Sequence, residues 1–302
     1  MKLKIESTFD KRIFTFYAAL NATGYDLENN KEGMHPLRLT VRKYILEKDL
    51  NLKKLEKVFS DHHKEFYWEL RLWTLCHSNP PDYDETSPVW RVKIPPNTIK
   101  GFKDSMVAFY HNADIDSNYK FFEKEYRPLT VKLRKLGGTG IKEALNFLKL
   151  KDLKSIKKVI IIPNLLDGYG VGIGPTVEDI SYCIIGPRKS DNGYLRAIQH
   201  EFLHAIINPL TENLEEIKAL HKINPRTNWK SKIREYLIRS ICIVLNYNKV
   251  ADQNKKTFHL EKDGFEDIDF FVEKMKLLDK YNGSFEGFLS KVLLDFTRFK
   301  NR

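Results

Sequence analysis

Apolar residues recur at helical spacing through most of the first half of the chain. The stretch 10–20 is the clearest example, because Asp10 can cap a helix whose apolar face extends from Ile13 to Leu20. The same spacing predicts three further helices, over residues 37–47, 52–77 and 98–135. An Asn-Pro-Pro sequence at 79–81 is expected to end the third of them, and a loop follows over 82–97. The glycine-rich sequence at 137–140 predicts a flexible joint.

The period of the apolar residues changes after that joint. The β-branched run 157–163 predicts a strand that ends at a proline, and 180–186 predicts a second short strand. We expect this to be the only β-rich region, because helical patterns resume over 192–207, 229–246, 266–281 and 284–299. The sequence therefore predicts a helix-rich α+β fold with a small mixed sheet against a central helix. It divides into a mainly helical region, 1–150, and a second region, 151–302.

Glycine occupies every second position from Gly168 to Gly174, between the two predicted strands. The pattern differs from a dinucleotide-binding loop, since it does not connect a strand directly to a following helix at the required spacing. Two interpretations are open. The glycines either form a hairpin that another backbone approaches closely, or they present bare backbone at the edge of a peptide-binding cleft.

The composition excludes several classes of protein. The 302 residues are 42% hydrophobic, enough for a buried core, so wholesale disorder is excluded. No stretch reaches the roughly 18 apolar residues of a membrane span, and the charged start does not match a secretory signal. The cysteines at 76, 183 and 242 are too widely spaced for a disulfide framework. We expect a cytoplasmic protein that does not interact with membranes.

The formal net charge of +11 makes nucleic-acid binding possible. The basic residues are mostly lysines, however, and they are spread along the chain near acidic residues. That distribution favours a solvated basic surface over a dedicated phosphate-binding stripe. Nucleic acid is therefore a possible but not a favoured partner, and the composition does not indicate an oligomeric state.

One short motif carries specific chemistry: His200-Glu201-Phe-Leu-His204, which has the form HExxH. In a helix, histidines four residues apart lie on one face and can bind one ion. Zinc accepts nitrogen ligands in a tetrahedral site that can keep one position open for water. Glu201, beside the first histidine, is placed to take a proton from that water. The sequence therefore predicts one zinc ion bound by His200 and His204, with Glu201 as the catalytic base.

The HEFLH motif resembles the active-site helix of the zincin metallopeptidases. The wider pattern is similar to an uncharacterised bacterial zincin-like family in which His-Glu-Phe-x-His is followed by Asn-Pro, here Asn208-Pro209. The segments Ala18–Asp26 and Met34–Arg38 extend this likeness toward the start of the chain. The resemblance implies a zincin-like fold, with residues 151–302 as the catalytic region and a peptide or protein as the substrate.

The spacing after the motif separates zincin subtypes. A metzincin requires glycine and a third histidine where this chain has Ile207 and Leu210, so that subtype is excluded. A gluzincin takes a glutamate from a later helix, and Glu235 lies far enough along the chain to return beside the zinc helix. Other candidates are less favoured, because they follow the motif too closely or lack a supporting pattern: Glu212, Glu215, Glu216 and His221.

The HExxH motif and Glu235 together predict a zinc-dependent hydrolase, and a metallopeptidase is the favoured kind. In it, Glu201 activates a zinc-bound water. Arg239 lies four residues after Glu235 and can orient that carboxylate. Four side chains are candidates to support the ligands or to stabilise the oxyanion, with no basis for choosing among them: Tyr194, His221, Tyr236 and Arg239. The alternative is a non-catalytic binding module that contains zinc and is associated with nucleic acid.

Overall fold

The computed structural model describes residues 3–24, 33–61, 67–88, 96–151, 153, 155–247 and 249–301. Within them, the strands are β1 (Lys4–Ser7), β2 (Lys158–Pro163), β3 (Gly172–Ile173), β4 (Thr176–Val177) and β5 (Ile180–Ile185). The helices before β2 are α1 (Lys11–Ala22), α2 (Pro36–Leu46), α3 (Lys53–Asp61), α4 (Tyr67–Leu75), α5 (Pro96–Asn112) and α6 (Ile115–Phe147). The helices after β5 are α7 (Asp191–Leu210), α8 (Glu215–Ile223), α9 (Trp229–Asn246), α10 (Val250–Lys262), α11 (Ile268–Met275) and α12 (Phe285–Lys300), with a 3-10 turn at Leu278–Lys280. A helix-rich α+β fold with a small mixed sheet is thus confirmed.

The sheet is mixed because its two halves run in different directions. Strands β1, β2 and β5 are parallel neighbours, whereas β3 and β4 both pair antiparallel with β5. The parallel pairs require long connections, and helices α1 to α6 supply the one between β1 and β2. Short β3 and β4 therefore occupy the edge opposite β1, and β5 lies inside the sheet.

Side chains that alternate along β2 and β5 enter two different cores. Val159, Ile161 and Cys183 point to one face, where they pack with α6, α7 and the C-terminal helices. Ile162 and Ile184 point to the other face, where they join a core built mainly from α1 to α5. Because both faces of these strands are covered, they read as continuous apolar runs in the sequence.

Helix α7 lies between the sheet and α9. Its first turn is capped by Ser190, whose hydroxyl oxygen accepts a hydrogen bond from the backbone N–H of Gly193 at 3.1 Å. At the other end, a guanidinium N–H of Arg234 donates to the Asn208 carbonyl at 2.8 Å. The Asn246 side chain bonds Gln199 at 2.8 Å, so α7 and α9 run antiparallel along most of their length.

Many predicted elements are confirmed. The predicted helix at 229–246 coincides with α9, and the strands at 157–163 and 180–186 match β2 and β5 within one residue at each end. Helix α1 begins after Asp10, whose carboxylate accepts hydrogen bonds from the backbone N–H groups of Arg12 and Ile13. These segments carry strong apolar periodicity together with a clear start or stop signal, which is why the sequence located them well.

The predicted joint at 137–140 is wrong. Those glycines lie inside α6, which continues to Phe147, and the helical pattern instead breaks near Asp114, a residue with φ of 50°. Gly137 is present because α6 approaches the sheet closely: a Cβ there would overlap Cδ1 of Ile161. The sequence alone does not distinguish a glycine that allows close packing from a glycine that bends the chain.

Other expectations also need correction. The structure describes two helices, α3 and α4, where one helix over 52–77 was predicted, and residues 62–66 between them lie outside the described part. Strand β1 shows that 157–186 is not the only β-rich region. Helices α8 and α10 were also not predicted from the sequence. Strand β1, from the predicted region 1–150, belongs to the same sheet as β2.

Candidate metal centre

The polar residues of the HExxH motif lie together on α7. His200, Glu201 and His204 each place one possible metal-ligating atom within 4.8 Å of the others. The two imidazole rings are 5.1 Å apart between centroids and inclined at 80°. Both histidines are partly buried, and Glu201 is buried at 5% exposure. The spacing of four residues has therefore produced the shared face that the sequence predicts.

Helix α9 brings Glu235 to the same place. Its carboxylate oxygens lie 3.8 Å from Nε2 of His200 and 3.4 Å from Nε2 of His204. The guanidinium of Arg239, one turn further along α9, donates through Nε to Oε2 of Glu235 at 2.9 Å. The antiparallel pairing of α7 and α9 thus supplies a third donor from a distant part of the sequence, held by an arginine.

The other glutamates considered as a third metal ligand either form ion pairs away from the histidines or lie on α8. Glu212 forms ion pairs with Lys230 and Arg234 beyond the end of α7. Glu215 and Glu216 are at the start of α8, where Glu215 pairs with Lys218 at 2.6 Å. None of these three is among the described residues that line the cavity beside the histidines.

Of the four side chains predicted to support the ligands or the oxyanion, Arg239 lines that cavity and the other three do not, among the described residues. Tyr236 is fully buried, stacks on Phe271 and places its hydroxyl beside Asp267, on the far side of α9. Tyr194 is buried in the core under the first turn of α7. His221 is exposed on α8. Helical phase alone separates Tyr236 from Glu235, its immediate neighbour in the sequence.

The cluster faces an open cavity of about 480 Å³ between β3, α7 and α9. Its wall also includes Asn208, Ser231 and Arg234, and Trp68 from α4 contributes an aromatic side chain that is 44% exposed. Trp73 and Trp229 are buried in the two cores, whereas Trp90 lies outside the described residues.

Two of the alternating glycines explain how the sheet edge approaches the motif. A Cβ at Gly172 would lie 2.5 Å from Oε1 of Glu201, and a Cβ at Gly174 would overlap the backbone oxygen of Glu201. Strand β3 therefore passes directly over Glu201, and Gly172 and Gly174 also line the cavity. The close backbone approach inferred from the sequence is present, and it occurs at the wall of the cavity.

Burial keeps the two imidazoles neutral. Desolvation lowers the pKa of His200 well below its ordinary value, and the charges of His204, Arg239 and Arg188 lower it further. Desolvation also lowers the pKa of His204, although Glu235 acts in the opposite direction. Neutral imidazole is the form that binds metal ions, so both side chains are ready to act as ligands near neutral pH.

Glu201 is placed where its charge is unfavourable. Burial raises the pKa of Glu201 to about 8, the nearby charge of Glu235 adds to this effect, and Arg188 and Arg239 oppose it. Arg188 was not singled out from the sequence. It donates to the backbone oxygens of Val171 and Gly186 at 3.0 and 3.3 Å, which attaches it to the glycine-rich strand beside the site.

We predict that Glu201→Gln stabilises the metal-free protein at neutral pH. Since the pKa of Glu201 rises from 4.5 unfolded to about 8 folded, the unfolded state binds fewer protons between these values, and stability falls as pH rises through them. Gln removes this penalty, an expected gain of about 2 kcal/mol at pH 7 after allowance for relaxation of the site. Urea unfolding in chelator from pH 5 to 8 measures it. Parallel pH profiles for both proteins would contradict the prediction.

Comparison of the chain with models of protein families, with curated proteins and with solved structures found no match. None of the helices in the described part of the chain is both long and apolar enough to cross a membrane. The adjacent histidines at 62 and 63, for which the sequence favours a surface or packing role, fall outside the described residues. The case for a function therefore depends on the geometry of the site itself.

Proposed function

We propose that this protein is a metal-dependent hydrolase, and specifically a zinc metallopeptidase of the gluzincin type. The observation that carries the proposal is the convergence of His200, His204 and Glu235 from two antiparallel helices at the wall of an open cavity. A partly buried pair of histidines facing a carboxylate, with a second carboxylate beside them, is costly without a cation. An ion bound there would explain why these groups are together.

The donor atoms fit a zinc ion. Two ligands at about 2.0–2.1 Å from zinc in tetrahedral geometry are about 3.3 Å apart. Oε1 of Glu235 lies 3.4 Å from Nε2 of His204, close to that value, and the other carboxylate oxygen, Oε2, lies 3.8 Å from Nε2 of His200. Two neutral imidazoles and one carboxylate are also a ligand set that catalytic zinc sites use. His200, His204 and Glu235 would hold the ion, and Arg239 would keep the Glu235 carboxylate in place.

A zinc ion held by these residues supplies a Lewis acid that polarises a carbonyl and lowers the pKa of water. Glu201 then has a defined task, because its carboxylate lies beside the ligands and faces the cavity. It accepts a proton from the attacking water and delivers it to the amine that leaves. The binding of a divalent cation opposes the effect of burial on Glu201 and favours the ionised form that this task requires.

The edge of the sheet suits an extended peptide. Strand β3 pairs with β5 on one side, and no other described strand pairs with its second side. Gly172 and Gly174 line the cavity, and Glu201 fills the space where their side chains would lie, so the open side of β3 lies directly beside the predicted catalytic base. Addition of a strand to such an edge uses main-chain hydrogen bonds and leaves side chains free to determine specificity. The sheet, α7 and α9 together support a zincin-like packing.

The three cysteines support a reducing compartment, and we include a cytoplasmic location in the proposal. Cys76, Cys183 and Cys242 are free thiols, and the first two are buried. Burial raises the pKa of the Cys242 thiol to about 12, which keeps it protonated and unreactive. None of the three adds a sulfur ligand to the group formed by His200, Glu201 and His204 among the described residues.

The test is metal content together with chelator-sensitive hydrolysis. We expect one zinc per chain after purification without added metal, and cleavage of a peptide library that a chelator stops. Glu235→Ala should weaken zinc binding about 100-fold, because it removes one of three donors. Glu216→Ala, a glutamate on α8 outside the cavity wall, is the matched control. Equal zinc affinity in both variants would exclude Glu235 as a ligand.

Zinc at full occupancy without hydrolysis of any peptide would instead favour the alternative, a binding module that contains zinc. In that case, binding to DNA or RNA that weakens steeply with salt would identify a nucleic-acid partner, because counterion release gives phosphate contacts that dependence.

A further inference from the structure

Trp68 is the largest apolar side chain on the wall of the metal cavity. Its exposed fraction is 44%, whereas Ile173, the other apolar side chain among the described residues of the wall, is 8% exposed. The remaining side chains of the wall are charged or polar, and Gly172 and Gly174 have none. In this polar cavity, Trp68 is therefore the surface to which an apolar group of a ligand can bind.

The indole of Trp68 has no partner among the described residues. No ring contact, cation–π contact or hydrogen bond involves it there. The other described tryptophans differ, since Trp73 packs edge-on against Phe102. Trp229 donates its indole N–H to the Asn224 carbonyl at 3.2 Å. Because a tryptophan inside a protein commonly packs its ring and satisfies its N–H, both parts of Trp68 remain available to a bound molecule.

Helix α4 holds Trp68 at the cavity. The helix is anchored in the first core by Leu70 and Leu72, which are both buried. The guanidinium of Arg71, also buried, donates through Nη1 to the hydroxyl of Tyr17 on α1 at 2.9 Å. The packing of α4 therefore depends on side chains other than Trp68, and the exposed ring is presented by an element that is fixed without it.

The charges of the cavity indicate which kind of side chain suits this ring. An indole face attracts cations as well as apolar groups. With a zinc ion bound, Glu201 and Glu235 offset the two charges of the ion, and Arg239 leaves the wall with a positive charge. Arg234 is already paired with Glu212. A cationic side chain is therefore repelled from the cavity, and an aromatic or large aliphatic side chain is favoured.

We propose that Trp68 forms a subsite for an aromatic or large aliphatic side chain of the peptide substrate. The inference rests on the proposed function, because Trp68 and the metal centre share one cavity. Contact with the ring removes apolar surface of both partners from water, and an offset or edge-on aromatic pair adds to this gain. The indole N–H can also donate to a carbonyl of the peptide. Trp68 thus selects substrates by the side chain that occupies the cavity during cleavage.

The subsite can be tested by binding alone. The probe is a Gly-Ser nonapeptide, blocked at both ends, with phenylalanine at its centre, and it is compared with the same peptide carrying alanine. The protein is Glu201→Gln, in which turnover should be too slow to consume the probe. We expect the Phe peptide to have a Kd about tenfold lower, measured by ligand-observed NMR. Adding Trp68→Ala should abolish that difference, and Trp68→Phe should retain most of it.

The matched control is Phe121→Ala, which removes an exposed aromatic side chain from α6, outside the cavity wall. It should bind both peptides as its parent does. Trp68→Ala should unfold at the same temperature as its parent, because the ring has no described partner, so lost binding cannot be attributed to unfolding. A peptide with lysine at the centre should bind no better than the Ala peptide. Equal Kd values for the Phe and Ala peptides, a preference for lysine, or a Phe preference that survives Trp68→Ala overturns the subsite.

Hydrolysis separates the subsite from the proposed function. Phenylalanine or alanine is placed at each position of the best cleaved library peptide in turn. At one position, zinc-loaded wild type should prefer phenylalanine by about tenfold in kcat/KM, and Trp68→Ala should lose that preference. Hydrolysis without such a preference overturns the subsite and leaves the hydrolase intact. Phe binding that depends on Trp68, without hydrolysis of any peptide, contradicts the proposed function and retains the apolar subsite.

Discussion

Replacing Glu201 with Gln is expected to reduce peptide hydrolysis by about 10³-fold or more, within the range for loss of a general base and acid. The side chain keeps nearly the same shape, but an amide cannot accept the water proton and return it to the amine. His200, His204 and Glu235 are unchanged, so zinc should remain bound at one ion per chain. The measurement is kcat/KM for the best cleaved library peptide, with zinc content determined on the same samples.

Two controls separate chemistry from folding. The same substitution is expected to stabilise the metal-free protein, so unfolding cannot account for lost turnover. Glu286→Gln, at an exposed position in the first turn of α12, should hydrolyse the peptide as wild type does. If Glu201→Gln retained more than about a tenth of wild-type kcat/KM, the proton transfer would have to be assigned to another group.

Replacing Gly174 with Ala is expected to lower the free energy of unfolding by about 3 kcal/mol, as overpacking at a rigid contact does. The added Cβ would overlap the backbone oxygen of Glu201 and lie 2.9 Å from its Cα. Main-chain atoms inside a helix cannot move aside as a flexible side chain can. Strand β3 or helix α7 must therefore shift, and either movement also disturbs Glu201. Urea unfolding measures the loss of stability.

Gly138→Ala is the matched control for this prediction. Gly138 lies within α6 with no atom within 4 Å of the position a Cβ would take, so alanine should be tolerated. The higher helix propensity of alanine should raise stability by up to about 1 kcal/mol. If Gly174→Ala were as stable as Gly138→Ala, β3 would not pass over α7 as the structure shows.

The glycines show how one residue type can have several meanings in a sequence. The alternation near Gly172 correctly indicated close backbone approach, because period two places successive glycines on the same side of a strand. The cluster that includes Gly137 was misread as a joint, although it permits α6 to pack against Ile161. A glycine in the sequence shows only that a Cβ is absent. The residue whose close approach requires that absence belongs to another part of the chain, so the local sequence does not identify it.

The polar residues around the cavity also divide into those that the sequence could identify and those that only the structure could identify. Glu235 was singled out from its distance along the chain and its helical setting, and the structure brings it to both histidines. Tyr194, Tyr236 and His221 could not be distinguished in advance from Arg239. Which of them faces the cavity depends on the rotation of each helix about its own axis, and packing determines that rotation.

The sequence by itself determined which segments with strong periodicity form helices and strands. It also determined that the two histidines and the glutamate of the HExxH motif lie within about one turn of α7. Those features depend on neighbours within four residues, whose relative positions backbone geometry already defines. Only the tertiary structure decided that β1 joins β2, that β3 lies over Glu201, and that Arg239 and not Tyr236 faces the cavity. Such contacts join residues tens to hundreds of positions apart, and they form because burying the shared apolar cores selects one arrangement of the helices and the sheet.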